Sequence, residues 1–225
     1  MLAALVPFDA LTAVVITANV LGGAMALPQV AKLIRTRQVD GVSATWAGVS
    51  ATVNSWWAVY GFGIGDLGIV PVSIVSVIAY LAIAAALVRF RRTSVGAVLT
   101  PMLLGAGAVA VIPAIALVAS GWTAAGVTLG TLYGVQLAPA VIAVYRSSDV
   151  RGVAAATWAL AWVEAALWGV YGFARADLGL LTLAVTGGAM SSLVLLRLFA
   201  RRPLRTTGND TVADDRVGEL ALSPA

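Results

Sequence analysis

The chain has 225 residues, 60% of them hydrophobic and only 11% charged, with a formal net charge of +4. A soluble domain carries roughly 25% charged residues, so most of this surface is built to face something other than water. Histidine and cysteine are both absent, which excludes disulfides, thiolate chemistry and the usual transition-metal sites.

The few charges separate apolar stretches of about 20 residues, the length needed to cross about 30 Å of hydrocarbon. The predicted fold class is an all-α polytopic membrane protein with seven transmembrane helices, at roughly 9–31, 44–63, 67–88, 95–119, 123–145, 153–173 and 177–199. Met1–Pro7 has no basic residue ahead of its apolar ones, so no cleaved signal peptide is expected. The end of the chain is a polar tail rich in Arg, Asp, Thr and Gly. With the N-terminus outside, thirteen of the fourteen Lys and Arg residues fall in inner loops and the tail, and only Arg175 falls outside. That bias predicts a cytoplasmic C-terminus in a multi-pass protein, with the cell membrane as its expected location. The positive net charge is thereby explained by topology, and no nucleic acid is expected as a partner. The lipid bilayer is the expected partner, and homo-oligomers are compatible with the pattern.

The first span carries Pro28-Gln29 and then Lys32, Arg35, Arg37 and Asp40; the cluster of cations reads as a topogenic, headgroup-facing loop. A degraded copy follows 111 positions later, with Pro139-Ala140 in the fifth span. The repeat is clearest after the second span of each half. Trp57-Ala-Val-Tyr-Gly-Phe-Gly-Ile-Gly-Asp-Leu-Gly68 matches Trp168-Gly-Val-Tyr-Gly-Phe-Ala-Arg-Ala-Asp-Leu-Gly179 at eight of twelve positions, at the same offset. Spans 1–3 repeat as spans 5–7. Two three-span units joined directly would be inverted, so span 4 is an inversion linker that makes them parallel. The expected divisions are a first three-helix repeat at 9–92, a linker helix at 93–122, a second repeat at 123–200 and a cytoplasmic polar tail at 201–225.

A proline inside a span removes a backbone donor, and in lipid the freed carbonyl needs another partner. Pro28 and Pro139 therefore read as paired hinges, one per unit, against the competing reading that membrane helices simply tolerate proline. Gln29 adds an amide to the first hinge only. Polar residues within spans are costly and point to function by default. Asn54 lies three residues before Trp57 and Glu164 four before Trp168, spacings that place each on its tryptophan's helix face. Glu164 is either a carrier of protons through a transport cycle or a hydrogen-bonded structural group. Asn19, Gln136 and Thr186 are weaker candidates. Tyr60 and Tyr171, one turn beyond the tryptophans, read as an interfacial aromatic belt or as gate residues, as do Trp46, Trp56 and Trp122 between belt and gate. The duplicated Asp66 and Asp177 read as solvated helix starts or as gate residues with Arg175 as partner.

A three-span unit with Pro-Gln in its first helix, a basic loop ending Gly41-Val42-Ser43 and Trp-x-x-Tyr-Gly closing its second helix resembles a PQ-loop repeat. The 3+1+3 layout over about residues 10–200 resembles the SWEET sugar transporters. The resemblance implies alternating access between two three-helix bundles, with Trp57 and Trp168 flanking a sugar. That family usually follows this tryptophan with an asparagine in the next helix; the matching positions here are Ser73 and Ala184.

The expected function is a secondary transporter or facilitator of a small polar solute, with a mono- or disaccharide favoured. A proton-coupled carrier of amino acids or another metabolite is the alternative that Glu164 supports, and a PQ-loop-type ligand or cargo receptor is a third. A retinal protein needs a lysine in its last span for the Schiff base, and the only lysine is Lys32. No cofactor, metal set or catalytic nucleophile is expected, and the chain does not read as an enzyme.

Overall fold

The structure is a computed structural model that describes residues 8–39, 42–91, 94–147, 150 and 153–200, apart from the side chains at positions 8, 9, 26, 28, 29 and 32. The tail at 201–225 and the first seven residues lie outside the described residues. Among the described residues the chain is all-helical: α1 (Phe8–Thr36), α2 (Ala44–Gly63), α3 (Val70–Phe90), α4 (Val95–Arg146), α5 (Ala155–Arg175) and α6 (Leu178–Ala200).

Local chemistry sets most of these boundaries. Ser43 caps α2, its hydroxyl accepting from the Trp46 backbone N–H at 3.1 Å. Ser94 caps α4 through the Ala97 N–H at 3.3 Å. Helix α3 carries Pro71 in its first turn, where the missing donor is harmless. Helix α1 runs further than its apolar stretch, to Thr36, so that Arg35 sits in its last turn rather than in a loop. Hydropathy marks where lipid ends; the helix itself continues until Arg37 takes the left-handed conformation at φ 55.

At 52 residues α4 would measure about 78 Å if straight, more than twice the thickness of a hydrocarbon core. It is broken at Gly121, where φ is 78 and ψ −169, a region essentially confined to glycine. The contacts along α2 show the chain reversing there. On the way up, Met102 meets Gly48, the Trp56 indole donates to Ala110 O at 3.1 Å, and Trp122 covers Gly63. On the way back, Gly126 meets Tyr60 and the Gln136 amide donates to Ser50 Oγ at 2.8 Å. The single element is therefore two antiparallel arms, 95–120 and 122–146, giving seven helical segments. Pro101, Pro113 and Pro139 all lie inside α4 without breaking its backbone.

Within the first unit α3 stands between α1 and α2, and within the second, α6 stands between the second arm of α4 and α5. The units meet through α1 against α5 and α2 against α4. The two equivalent α2–α3 and α5–α6 loops come together at one end of the molecule, which makes the units parallel. At that end the buried core is shared, with Val53, Trp57 and Ile69 of one unit packed among Leu129, Trp168 and Leu180 of the other. At the opposite end it splits into two. Leu33, Ile83 and Leu87 pack with Val98 of the first α4 arm, while Val141, Val144 and Val194 form a separate cluster in the second unit.

The outward faces are apolar: Val118 is 89% exposed, Val185 70% and Leu104 69%. Helices α3, α4 and α6 are long and apolar enough to cross a membrane. Such a coat suits lipid and not water.

Candidate functional site

At the shared end the two halves latch onto each other by exchange. Tyr60, near the end of α2, donates its hydroxyl to Asp177, at 2.9 Å from Oδ1 and 3.0 Å from Oδ2. Its counterpart Tyr171, near the end of α5, donates to Asp66, at 2.7 and 2.9 Å. Each unit supplies the tyrosine for the other's aspartate, and all four side chains are buried. The loop geometry that presents the aspartates is also duplicated. Asp66 N donates to Gly61 O and Asp177 N to Gly172 O, both at 2.8 Å. The residue before each aspartate is left-handed: Gly65 at φ 71 and Ala176 at φ 52.

Each aspartate has a second, local task. Asp66 Oδ1 accepts from Gly68 N at 2.9 Å, and Asp177 Oδ1 caps α6 through Leu180 N at 3.0 Å. The same carboxyl groups thus serve the helix starts and join the two units. Arg175 adds its Nε at 3.2 Å from Asp66 Oδ2. No equivalent exists in the first unit, where that position is Ile64.

The latch divides two spaces. Outside it is a vestibule of about 500 Å³ bordered by Tyr60, Asp66, Arg175 and Asp177. Inside it is a cavity of about 410 Å³ between the units, within the roughly 300–1,000 Å³ of small-molecule sites. Trp57 and Trp168 line the inner side, each in edge-to-face contact with its own tyrosine, at centroid distances of 5.6 and 6.0 Å. From there the cavity continues toward the end where the core splits, past Tyr80, Ala140 and Thr157. Among the described residues that end also carries Arg35, Arg37, Arg89, Arg91, Arg146 and Arg197, whereas Arg175 stands at the latch.

The structure brings Trp57, Trp168, Asn54, Ser73 and Glu164 together on the cavity wall. Glu164 is buried and its Oε1 accepts from the Trp168 indole N–H at 3.3 Å. Helix α1 approaches so closely here that a side chain at Gly22 would collide with Glu164 Oε1 and Val72. The first unit has Val53 at the position matching Glu164. The Trp57 indole N–H is buried with no partner among the described residues. Asn54 donates to Ser50 O at 2.8 Å and Ser73 to Ile69 O at 2.9 Å, so each satisfies itself on its own helix.

Ala184 is not on the cavity wall. It faces Gly169 of α5, and its neighbour Leu183 lines the cavity instead. Pro28 and Gln29 lie in α1 with side chains outside the described residues, as does the side chain of Lys32. Pro139 sits on an exposed face of an arm that continues through it. Asn19 ties α1 to the start of α3, donating to Gly68 O at 2.9 Å and accepting from Val72 N at 2.8 Å. Thr186 holds the second unit together through Gly130 O at 2.7 Å.

Sequence reasoning missed Tyr133 and Trp158 on the cavity wall and ranked Gln136 low. For Trp158 the signal was present: residues 158, 161, 164 and 168 lie on one face of α5. The site belongs to a protein that is all-helical among the described residues, with helices long and apolar enough to span a membrane, whose two parallel units enclose a cavity with the tyrosine–aspartate pairs beyond one end. No protein-family model and no curated protein matches the chain.

Proposed function

We propose that the chain is a seven-span, SWEET-like secondary transporter or facilitator that moves a small polar solute by alternating access between its two units. The observation that carries the reading is the reciprocal Tyr60–Asp177 and Tyr171–Asp66 latch between the inner cavity and the outer vestibule. A pore needs one open path; a carrier needs a barrier that can pass from one side of its site to the other. Interactions that hold only between the units are lost together when the units rock. The split core at the opposite end is the complementary opening. By the positive-inside rule the arginine-rich end is cytoplasmic, which makes this the inward-facing form. Pro28 and Pro139 are the paired hinge positions, and the linker arm of α4 keeps the units parallel.

Trp57 and Trp168 flank the solute, and a sugar ring stacked on an indole face fits them. Purified protein in liposomes is expected to catalyse counterflow of a labelled solute from a panel of sugars, amines and amino acids. Trp57→Ala and Trp168→Ala should each lower it at least tenfold; unchanged counterflow in both would remove the pocket. Glu164 supports a second reading, proton-coupled transport of an amino acid or other metabolite. In that case uptake depends on pH and Glu164→Gln abolishes the dependence. A receptor of the same architecture would bind its ligand and move none across a sealed liposome.

A further inference from the structure

The cavity has a charge bias that transport of a neutral solute leaves unused. Among the described residues that line it, Glu164 is the only acid, and there is no Lys or Arg. The acid is 8% exposed, and its hydrogen bond comes from an indole N–H, not a cation. A carboxylate held in a low-dielectric wall without a counter-charge is strongly disfavoured. Aromatic side chains share the cavity wall with it: Trp57, Trp168 and Tyr133 deep in the cavity, with Trp46, Tyr80 and Trp158 toward the basic end. Such faces carry negative potential and attract cations, quaternary ammonium groups above all.

Two polar atoms on residues of the wall are buried with no partner among the described residues, the Gln136 Oε1 acceptor and the Trp57 Nε1 donor, and neither is open to the cavity in this form. A carboxylate on the solute would find no cation to meet it among the described residues of the wall. A neutral sugar would stack on the indoles but leave Glu164 without a counter-ion.

We propose that the cavity takes an organic cation, a small solute bearing a protonated amine or quaternary ammonium and no carboxylate, with Glu164 as its counter-ion inside an aromatic wall. The proposal deepens the transport reading and rests on it for the role of the cavity.

The test measures binding to the full-length protein in detergent, by tryptophan fluorescence and by thermal unfolding. The probes are choline, ethanolamine and phenethylamine, against glucose as the neutral control and glycine betaine as the zwitterionic one. At least one amine is expected to bind at least tenfold more tightly than both controls. Glu164→Gln should weaken that amine tenfold or more without altering glucose, and Glu164→Asp should restore part of the loss. Equal or tighter binding of either control, no binding by any amine, or amine binding unchanged in Glu164→Gln overturns the proposal. The comparison of probes on the unaltered chain decides the matter if Glu164→Gln does not fold. Counterflow in liposomes separates this inference from the transport reading. Amine binding without counterflow removes transport and leaves the cation site. Glucose counterflow that no amine inhibits removes the cation site and leaves transport.

Discussion

Tyr60 and Tyr171 occupy equivalent places, but their aspartates are not equally supported. Removing the Tyr171 hydroxyl leaves Asp66 with Arg175 and the Gly68 N–H; removing the Tyr60 hydroxyl leaves Asp177 with only the Leu180 N–H. Stranding a buried acceptor costs about 1–3 kcal/mol. Tyr60→Phe should therefore lower stability in that range, and Tyr171→Phe by about half as much, in paired unfolding measurements in detergent. The reverse order would mean that Arg175 contributes nothing to the latch. A second consequence of imperfect duplication concerns the residue before each aspartate. Gly65 takes its left-handed turn freely, whereas Ala176 takes the same turn against a cost of about 1–2 kcal/mol for a residue with a Cβ. Ala176→Gly should raise stability by about 1 kcal/mol, seen as a higher Tm. The four latch residues were legible as duplicated positions, and the aspartates also as helix starts. Their pairing was not, because a tyrosine reaching across to the other repeat is invisible until the units are placed side by side. The i, i+4 link of Glu164 to Trp168 was legible for the opposite reason: one helix carries both.

At the scale of the elements, hydropathy located the helices well because lipid length and helix length nearly coincide here. It failed where they part. Helix α1 outruns its apolar stretch to Thr36, and α4 holds two segments that only the backbone of Gly121 separates. A readable pattern went unused in the second arm, where Gly126, Gly130 and Gly134 recur every four residues. They let the arm press against α6, at Gly179, Leu183 and Thr186. A Cβ on Gly130 would stand 2.6 Å from the Leu183 backbone nitrogen, which no rotamer change relieves. Gly130→Val should force the two helices apart and cost about 1–3 kcal/mol, measured as a drop in Tm. Gly188→Ala is the control, since a Cβ there meets nothing within 4 Å. Equal tolerance of both changes would show that this contact is not what seats α6.

For the whole molecule, the distribution of the core matters more than its size. The units share packing around the tryptophans and the latch, and keep separate clusters at the basic end. In the proposed transport cycle, rocking would open the shared core while each unit's own cluster persists. Glu164 lies between, and in every state something has to neutralise it. If its counter-charge is either the solute's ammonium or a proton, the two compete for one carboxyl, and the cycle becomes an exchange of amine for proton. The sign follows directly. Acid on the side from which the amine is taken up supplies the competitor and should slow uptake. Acid on the opposite side promotes release of the amine and return of the protonated site, and should speed it. Proteoliposomes with a preset pH gradient would show a severalfold difference between the two directions in the unaltered protein and none in Glu164→Gln. Stimulation by acid on the uptake side would instead mean that proton and solute travel together, with Glu164 holding the proton while another group holds the cargo.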